Sequence, residues 1–186
     1  MCHNLLQDPK LYALLLLIDQ ERAGETRSAG CGCGGVLHSA RYPRKPRGGP
    51  AGLGEPYQFR LSFCCAWCRR RCTPASLRYL GRRVYLATVV VLASAMRAGL
   101  NPRRVAQLSA SLSVPMRTLE RWRRWWLDDF VHTPFWQAAR ARFMPPVSGE
   151  LLPQSLLARF SGADLATRLV HSLHFVSPLS TLYEGR

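Results

Sequence analysis

The stretch NPRRVAQLSASLSVPMRTLERWRRWW, residues 101–126, decides how the rest of the chain is read. Asn101-Pro102 is an N-cap followed by a first-turn proline, so a helix opens there and its apolar pattern carries it to about Leu112. Ser113-Val114-Pro115 breaks the pattern, and Pro115 can begin the next helix, which runs through Trp126 or a little beyond, with Asp128-Asp129 ending it. Leu108, Leu112, Val114, Leu119 and Trp122 provide apolar contacts between the two helices. Ser109 is small where the helices would approach, and Ser113 is small in the turn, where glycine is common. The spacing predicts a helix-turn-helix, with an ordinary helical hairpin as the alternative.

The second of these helices separates its faces. Leu119, Trp122 and Trp126 fall at i, i+3 and i+7, which predicts a buried stripe. Arg117, Arg121 and Arg124 recur at i, i+4 and i+7 on a different face, and Thr118 and Arg123 extend the cationic surface. Glu120 is the only acid between Arg117 and Arg124. Guanidinium forks on such a surface can grip phosphate or pair with the O6 and N7 of guanine in a major groove. Upstream, Val84–Ala98 is apolar nearly all round and reads as a buried helix ended by Gly99, although Val84, Val89, Val90 and Val91 would allow a strand in its first half.

Cysteine placement supplies the second strong signal. Six of the seven lie at 31, 33, 64, 65, 68 and 72, and Cys2 stands apart. Clustered cysteines in a chain without export signals point to metal before disulfides. Tetrahedral zinc takes four thiolate or imidazole ligands, usually two from each of two tight turns. Cys31-Gly-Cys33-Gly-Gly and Cys65-Ala-Trp-Cys68 offer such turns, and the first is one residue tighter than the usual pair. Cys31, Cys33, Cys65 and Cys68 are therefore the expected ligands, with Cys64, Cys72 and His38 as substitutes. Four protein ligands leave no position for water, so the zinc would be structural. Between the turns lies a Pro- and Gly-rich arm carrying Arg41, Arg44, Lys45 and Arg47. It is expected to be a loop or extended arm that tracks phosphates.

The chain has 186 residues, 26 Lys and Arg against 11 Asp and Glu, and a net charge of +15. Residues 41–124 hold 18 of the basic groups and only two acids, Glu55 and Glu120, a balance of +16, while the remainder sums to −1. Charge confined to one block implies a polyanionic partner rather than a general solubility bias. The length argues against a large multi-domain enzyme. The longest apolar run is too short and too interrupted for a bilayer, so no membrane partner is expected. Leu11–Ile18 invites a signal-peptide reading, but Asp19-Gln20-Glu21-Arg22 follows without a small-x-small cleavage site. Asp8 can cap a helix there with Pro9 at its first position and Gly24 as its stop. The expected location is the cytoplasm, in association with the nucleoid.

The order of motifs resembles the DNA-binding head of bacterial insertion-sequence transposases and short transposase-like proteins of mobile elements. Cys65-Ala-Trp-Cys68-Arg-Arg-Arg-Cys72-Thr-Pro74 and Thr118-Leu119-Glu120-Arg121-Trp122-Arg123 carry the likeness, over about residues 30–126. The resemblance implies a zinc ribbon and a helix-turn-helix that recognise terminal repeats. The catalytic core of such enzymes, three carboxylates on a ribonuclease-H-like fold, has no counterpart. Only Asp128, Asp129, Glu150, Asp164 and Glu184 follow, in a tail whose pattern is helical. Thr133-Pro134 and Ser161 look like helix starts, Pro145-Pro146 is a break, and Leu165, Leu169 and Leu173 form an apolar stripe. His171 and His174, three apart without a carboxylate partner, read as structural.

The expected fold is mainly α. It comprises an N-terminal helix over 1–25, a zinc-ribbon-like segment with its basic arm over 26–79, a helix-turn-helix over 80–130 and a helical region over 131–186. The expected function is non-catalytic binding of double-stranded DNA in association with a mobile element. Phosphate contacts come from Arg41, Arg44, Lys45, Arg47, Arg69, Arg70 and Arg71, and base reading from the helix at 115–126. A homodimer would suit repeated sites, and a separate transposase subunit would supply cutting. The first rival is an RNA-binding or ribosome-associated zinc protein in which Trp67, Tyr57 and Phe59 stack on bases. The second is an accessory or degenerate transposase or nuclease subunit.

Overall fold

A computed structural model describes residues 2–81 and 84–181 of the chain. Arg82, Arg83 and Glu184 lie outside the described residues, as does the side chain of Cys2. The architecture is mainly helical with two small sheets. The chain divides into two compact units, one of residues 7–87 with 174–186 and the other of 1–6 with 88–173.

The first unit is organised by helix α2, Pro9–Ala29, which follows the short α1, Cys2–Leu6. Asp8 caps α2 by accepting from the Lys10 N–H at 2.9 Å, as the Asp-Pro pair predicts. Gly24 does not stop the helix; it continues to Ala29 and is capped by Gly30. A mid-helix glycine costs only about 1 kcal/mol, and Ala23 beside it is buried in a small core with Leu37, Phe63 and Cys65. Strands β1 (Leu37–Ser39), β4 (Phe63–Cys65) and β5 (Arg71–Cys72) form an antiparallel sheet in the order β1-β4-β5, with Leu37 opposite Cys65 and Cys64 opposite Arg71. Strands β2 (Tyr42–Pro43) and β3 (Phe59–Arg60) pair separately.

The basic arm is therefore pinned rather than free. Its residues enter β1 and β2, the Arg44 N–H donates to the Gln58 carbonyl, and the Arg47 N–H donates to the Val84 carbonyl. Arg47 and Tyr85 form an isolated bridge, as do Tyr79 and Leu86. These pairings delay the apolar helix expected from Val84; as α3 it spans Ala87–Arg97.

A buried ion pair ties α2 to the chain that follows the sheet. Asp19 and Arg78 are 3% and 1% exposed, and Arg78 Nε lies 2.7 Å from Asp19 Oδ2. The Leu77 N–H and the Ser76 hydroxyl donate to the same carboxylate, and Arg78 also donates to the Pro56 carbonyl. The guanidinium lies 5.0 Å from the Tyr57 ring centre and 5.1 Å from that of Tyr79. Leu11, Leu15, Asp19 and Ala23 recur every four residues on the buried face of α2. The acid thus occupies a core stripe and is tolerated there because three donors, one of them a guanidinium, converge on its carboxylate.

In the second unit, Asn101 caps α4 (Pro102–Leu112) by accepting from the Arg104 N–H at 3.0 Å. Ser113 turns in the left-handed region at φ 51°, and α5 (Met116–Arg124) follows directly after Pro115. Asp128-Asp129 does not end that helix. It continues as a π-helical turn, Trp125–Asp129, and then α6, Phe130–His132. Trp125, Trp126 and Phe130 are buried on either side of the two exposed acids, with ring centres 4.7–5.5 Å apart, so aromatic packing carries the helix past them.

Thr133 then caps α7 (Pro134–Ala139), accepting from the Trp136 N–H. After irregular chain around Pro145-Pro146 come the short α8 (Gln154–Leu157) and α9 (Leu165–Val176). Ser161 is not the start of α9. Asp164 is, its carboxylate accepting from the Thr167 N–H at 2.8 Å. The amide and hydroxyl of Thr167 hold that carboxyl below the usual carboxylate range. Leu169 and Leu173 are buried as the stripe predicts, and Leu165 is half-buried. No helix among the described residues is long and apolar enough to cross a membrane.

Candidate functional site

Two tight turns bring four sulfurs together. Cys31 and Cys33 follow the end of α2, while Cys65 ends β4 and Cys68 lies three residues on. The Gly34 N–H closes the first turn onto the Cys31 carbonyl at 2.7 Å, and the Cys65 N–H bonds the Arg70 carbonyl at 3.0 Å across the second. The two turns are stitched together by Ala66 N–H to the Val36 carbonyl at 2.9 Å.

The result is a cluster of Cys31, Cys33, Cys65 and Cys68 in which all four Sγ atoms lie within 4.8 Å of one another. Cys31 and Cys68 approach to 3.5 Å, as do Cys33 and Cys65. Sulfurs about 2.3 Å from a central tetrahedral cation have edges of about 3.8 Å, so the cluster has the dimensions of a four-thiolate metal site.

Glycine and backbone amides shape that cluster. Gly34 turns at φ +82°, where a side chain would be strained. A Cβ on Gly35 would lie 2.6 Å from Cys65 Sγ and 3.1 Å from Cγ of Trp67, so only glycine lets the two turns close. Arg69 takes the matching left-handed place after Cys68, at φ 59°. Sulfurs this close cannot all carry charge by themselves. Burial raises the Cys65 thiol, but the Cys68 and Trp67 amides and the thiols of Cys33 and Cys68 outweigh it and set Cys65 at about 6. The Arg70 amide lowers Cys68, yet burial and the other three sulfurs push it up to about 12. A divalent cation would displace the remaining protons and hold four thiolates.

The substitutes proposed from sequence are not in the cluster. Strand alternation turns Cys64 to the face opposite Cys65, where its thiol lies 3.4 Å from the Arg69 carbonyl. His38 stands across from Cys64 in the sheet, on that same face. Cys72 packs instead against the small core of Ala23, Leu37, Phe63 and Cys65.

The cationic residues fall into two kinds. Arg117, Arg121 and Arg124 are exposed along one face of α5, opposite the buried Leu119 and Trp122. Thr118 is half-buried at the edge of that face. Arg123 is exposed but lies off that face, well round the helix from Arg121. Burial lowers the Arg97 guanidinium from its ordinary range, Arg123 beside it lowers it further, and Glu120 raises it. The α4–α5 corner is held by the Ser109 hydroxyl donating to the Val114 carbonyl at 2.7 Å and the Val114 N–H donating to the Ser109 carbonyl at 3.1 Å. Val105, Val114, Leu119 and Trp122 are buried beneath it.

In the other unit, Arg41, Lys45, Arg47, Arg69 and Arg70 are exposed. Arg44 is half-buried, donates to the Gly81 carbonyl and lies 5.0 Å from the Tyr79 ring centre. Arg71 donates to the Ala40 carbonyl and covers the Tyr42 ring. Both are occupied by the fold. Of the aromatics considered for base stacking, Tyr57 is buried, with its hydroxyl donating to the Tyr12 carbonyl, and Phe59 is half-buried in β3. Trp67 alone is open to solvent. His171 contacts the Ser161 carbonyl, and His174 Nδ1 accepts from Arg22, so both serve the fold.

Comparisons with protein-family models, with curated proteins and with solved structures give no match to this chain.

Proposed function

We propose that the protein is a zinc-containing, non-catalytic reader of double-stranded DNA, with α5 as its recognition helix. In this reading α4, the Ser113 turn and α5 are a helix-turn-helix, and the cysteine-bearing sheet is a zinc ribbon whose metal is structural. The observation that carries it is the pair of faces on α5: Leu119 and Trp122 are buried while Arg117, Arg121 and Arg124 stand together in solvent. A recognition helix needs an inner face fixed by packing and an outer face free to meet base edges. The left-handed Ser113 and the Ser109–Val114 hydrogen bonds supply the rigid corner that sets its angle.

Four cysteines favour zinc among divalent cations because borderline-soft Zn²⁺ suits an all-thiolate tetrahedron and has no redox chemistry to damage it. Among the described residues, Cys31, Cys33, Cys65 and Cys68 are the group that brings three or more ligating side chains together. The resemblance to transposase heads makes the repeated ends of a mobile element the target we favour, with cutting left to a separate subunit.

The test compares two substitutions across a panel of duplex sequences. Arg121→Ala should relax base preference at particular positions, each worth about 1–3 kcal/mol of discrimination. Lys45→Ala, at an exposed position of the arm, should weaken binding evenly across the panel. The same loss profile for both variants would remove α5 from the reading role.

A further inference from the structure

Of the five tryptophans, Trp122, Trp125, Trp126 and Trp136 are buried, whereas Trp67 is 71% exposed. An indole left that open forfeits the burial that usually stabilises tryptophan, and its position is not loose. Trp67 sits between Cys65 and Cys68, and its backbone N–H donates to Cys65 Sγ at 3.4 Å. Its ring rests against the backbone of the first turn. Cβ atoms placed on Gly34 and Gly35 would meet it at 3.7 Å and 3.1 Å. One side of the indole is thus seated on a glycine surface, and it has no aromatic or cationic partner among the described residues.

The surroundings indicate what the open side meets. Arg69 and Arg70 are exposed immediately after Cys68, and Val36 is exposed on the facing turn. A divalent cation with four thiolates carries −2, which the Arg69–Arg71 run more than offsets. Residues 26–79 contain one acid, Glu55. A fixed, unpartnered aromatic surface flanked by cations and almost without acids fits a flat ring joined to a phosphate.

From the seating of Trp67 on Gly34 and Gly35 beside Arg69 and Arg70, we infer that the cysteine turns form a stacking site for an unpaired nucleobase in single-stranded DNA. The indole takes the base and the two arginines take the adjoining phosphates. An intact duplex hides its base faces in the stack, so the site favours frayed ends, bulges or melted segments. This shares with the preceding proposal only the class of ligand. It uses different residues, on a different unit of the chain.

The probe is a single-stranded oligodeoxythymidylate of about 12 nucleotides, titrated into the zinc-loaded full chain and followed by tryptophan emission. Stacking predicts quenching of the exposed, red-shifted component contributed by Trp67. Trp67→Ala should bind the oligonucleotide roughly tenfold more weakly, while Trp67→Phe retains most of the affinity without the emission change. Arg69→Ala with Arg70→Ala should lower both affinity and its salt dependence. Zinc content, measured in each variant, shows whether the turns remain formed.

Full single-strand affinity in a zinc-loaded Trp67→Ala variant, or saturation without quenching, would overturn the assignment. So would equal binding of the oligonucleotide and of acidic vesicles, which would reduce the surface to a general polyanion patch. Duplex binding of the Arg121→Ala variant, measured in parallel, separates the two proposals. Loss of duplex preference with single-strand quenching intact leaves both standing, and failure of duplex binding in the wild type overturns the first alone.

Discussion

Cys64 and Cys65 are neighbours in sequence with opposite fates. Cys65 meets Cys31, Cys33 and Cys68, while Cys64 turns away toward the Arg69 carbonyl. Cys68→Ser should therefore abolish stoichiometric metal binding and unfold the turns, whereas Cys64→Ser should leave the metal content at its wild-type level; elemental analysis of both proteins checks this. The cysteine spacing made the quartet legible in advance, but it did not by itself exclude Cys64 as a substitute for Cys65. That choice depends on the register of a three-residue strand, too short to carry a periodic signal. Asp19 makes the same point more sharply. Its partner Arg78 is 59 residues away, so nothing local announces the pair. Truncating Asp19 to Ala leaves a buried guanidinium uncompensated and should cost about 3–5 kcal/mol, read as a fall in the denaturant midpoint.

At the scale of elements, α4 and α5 were the most legible part of the molecule. Asn101-Pro102 and Pro115 are strong punctuation, and both helices begin where those residues place them. Other boundaries were missed for physical reasons. Gly24 is a weak stop inside a 21-residue helix, and the end of α5 is overridden by aromatic packing across Asp128-Asp129. The onset of α3 is delayed by bridges at Tyr85 and Leu86, which no window of apolar residues reveals.

The α4–α5 corner also makes a prediction at this scale. Ser113 holds φ 51° at a small steric cost, so Ser113→Gly should raise the thermal midpoint by an amount worth up to about 1 kcal/mol. Ser109→Ala should lower it by about 1 kcal/mol through loss of the bond to the Val114 carbonyl. A Ser113→Gly protein less stable than the wild type, or a Ser109→Ala protein as stable as it, would mean that the turn is not held as described. Arg123→Ala should leave duplex sequence preference unchanged, because position 123 lies well round the helix from the face that Arg117, Arg121 and Arg124 share.

For the whole molecule, the +16 carried by residues 41–124 is the property from which we propose a polyanionic partner. Several of those charges are buried or engaged by the fold. Arg60 and Arg78 are buried, and Arg44 and Arg71 are committed to carbonyls and tyrosine rings. Counting arginines in the sequence therefore overstates the charge available to a polyanion, and composition alone could not separate the two kinds. If the exposed residues contact phosphate, duplex affinity should fall linearly on a log scale with salt, each contact adding about 0.9 to the slope. Lys45→Ala should reduce that slope by about one and Arg44→Ala should leave it unchanged, a difference visible in titrations at a few salt concentrations.

The most direct measurement is selection of a random duplex DNA library on the purified, zinc-loaded protein at near-physiological salt, followed by sequencing of the retained molecules. Recognition through α5 predicts enrichment of a defined motif, and loss of preference at particular positions of it in the Arg121→Ala protein. Recovery of DNA without sequence enrichment would contradict sequence reading by α5.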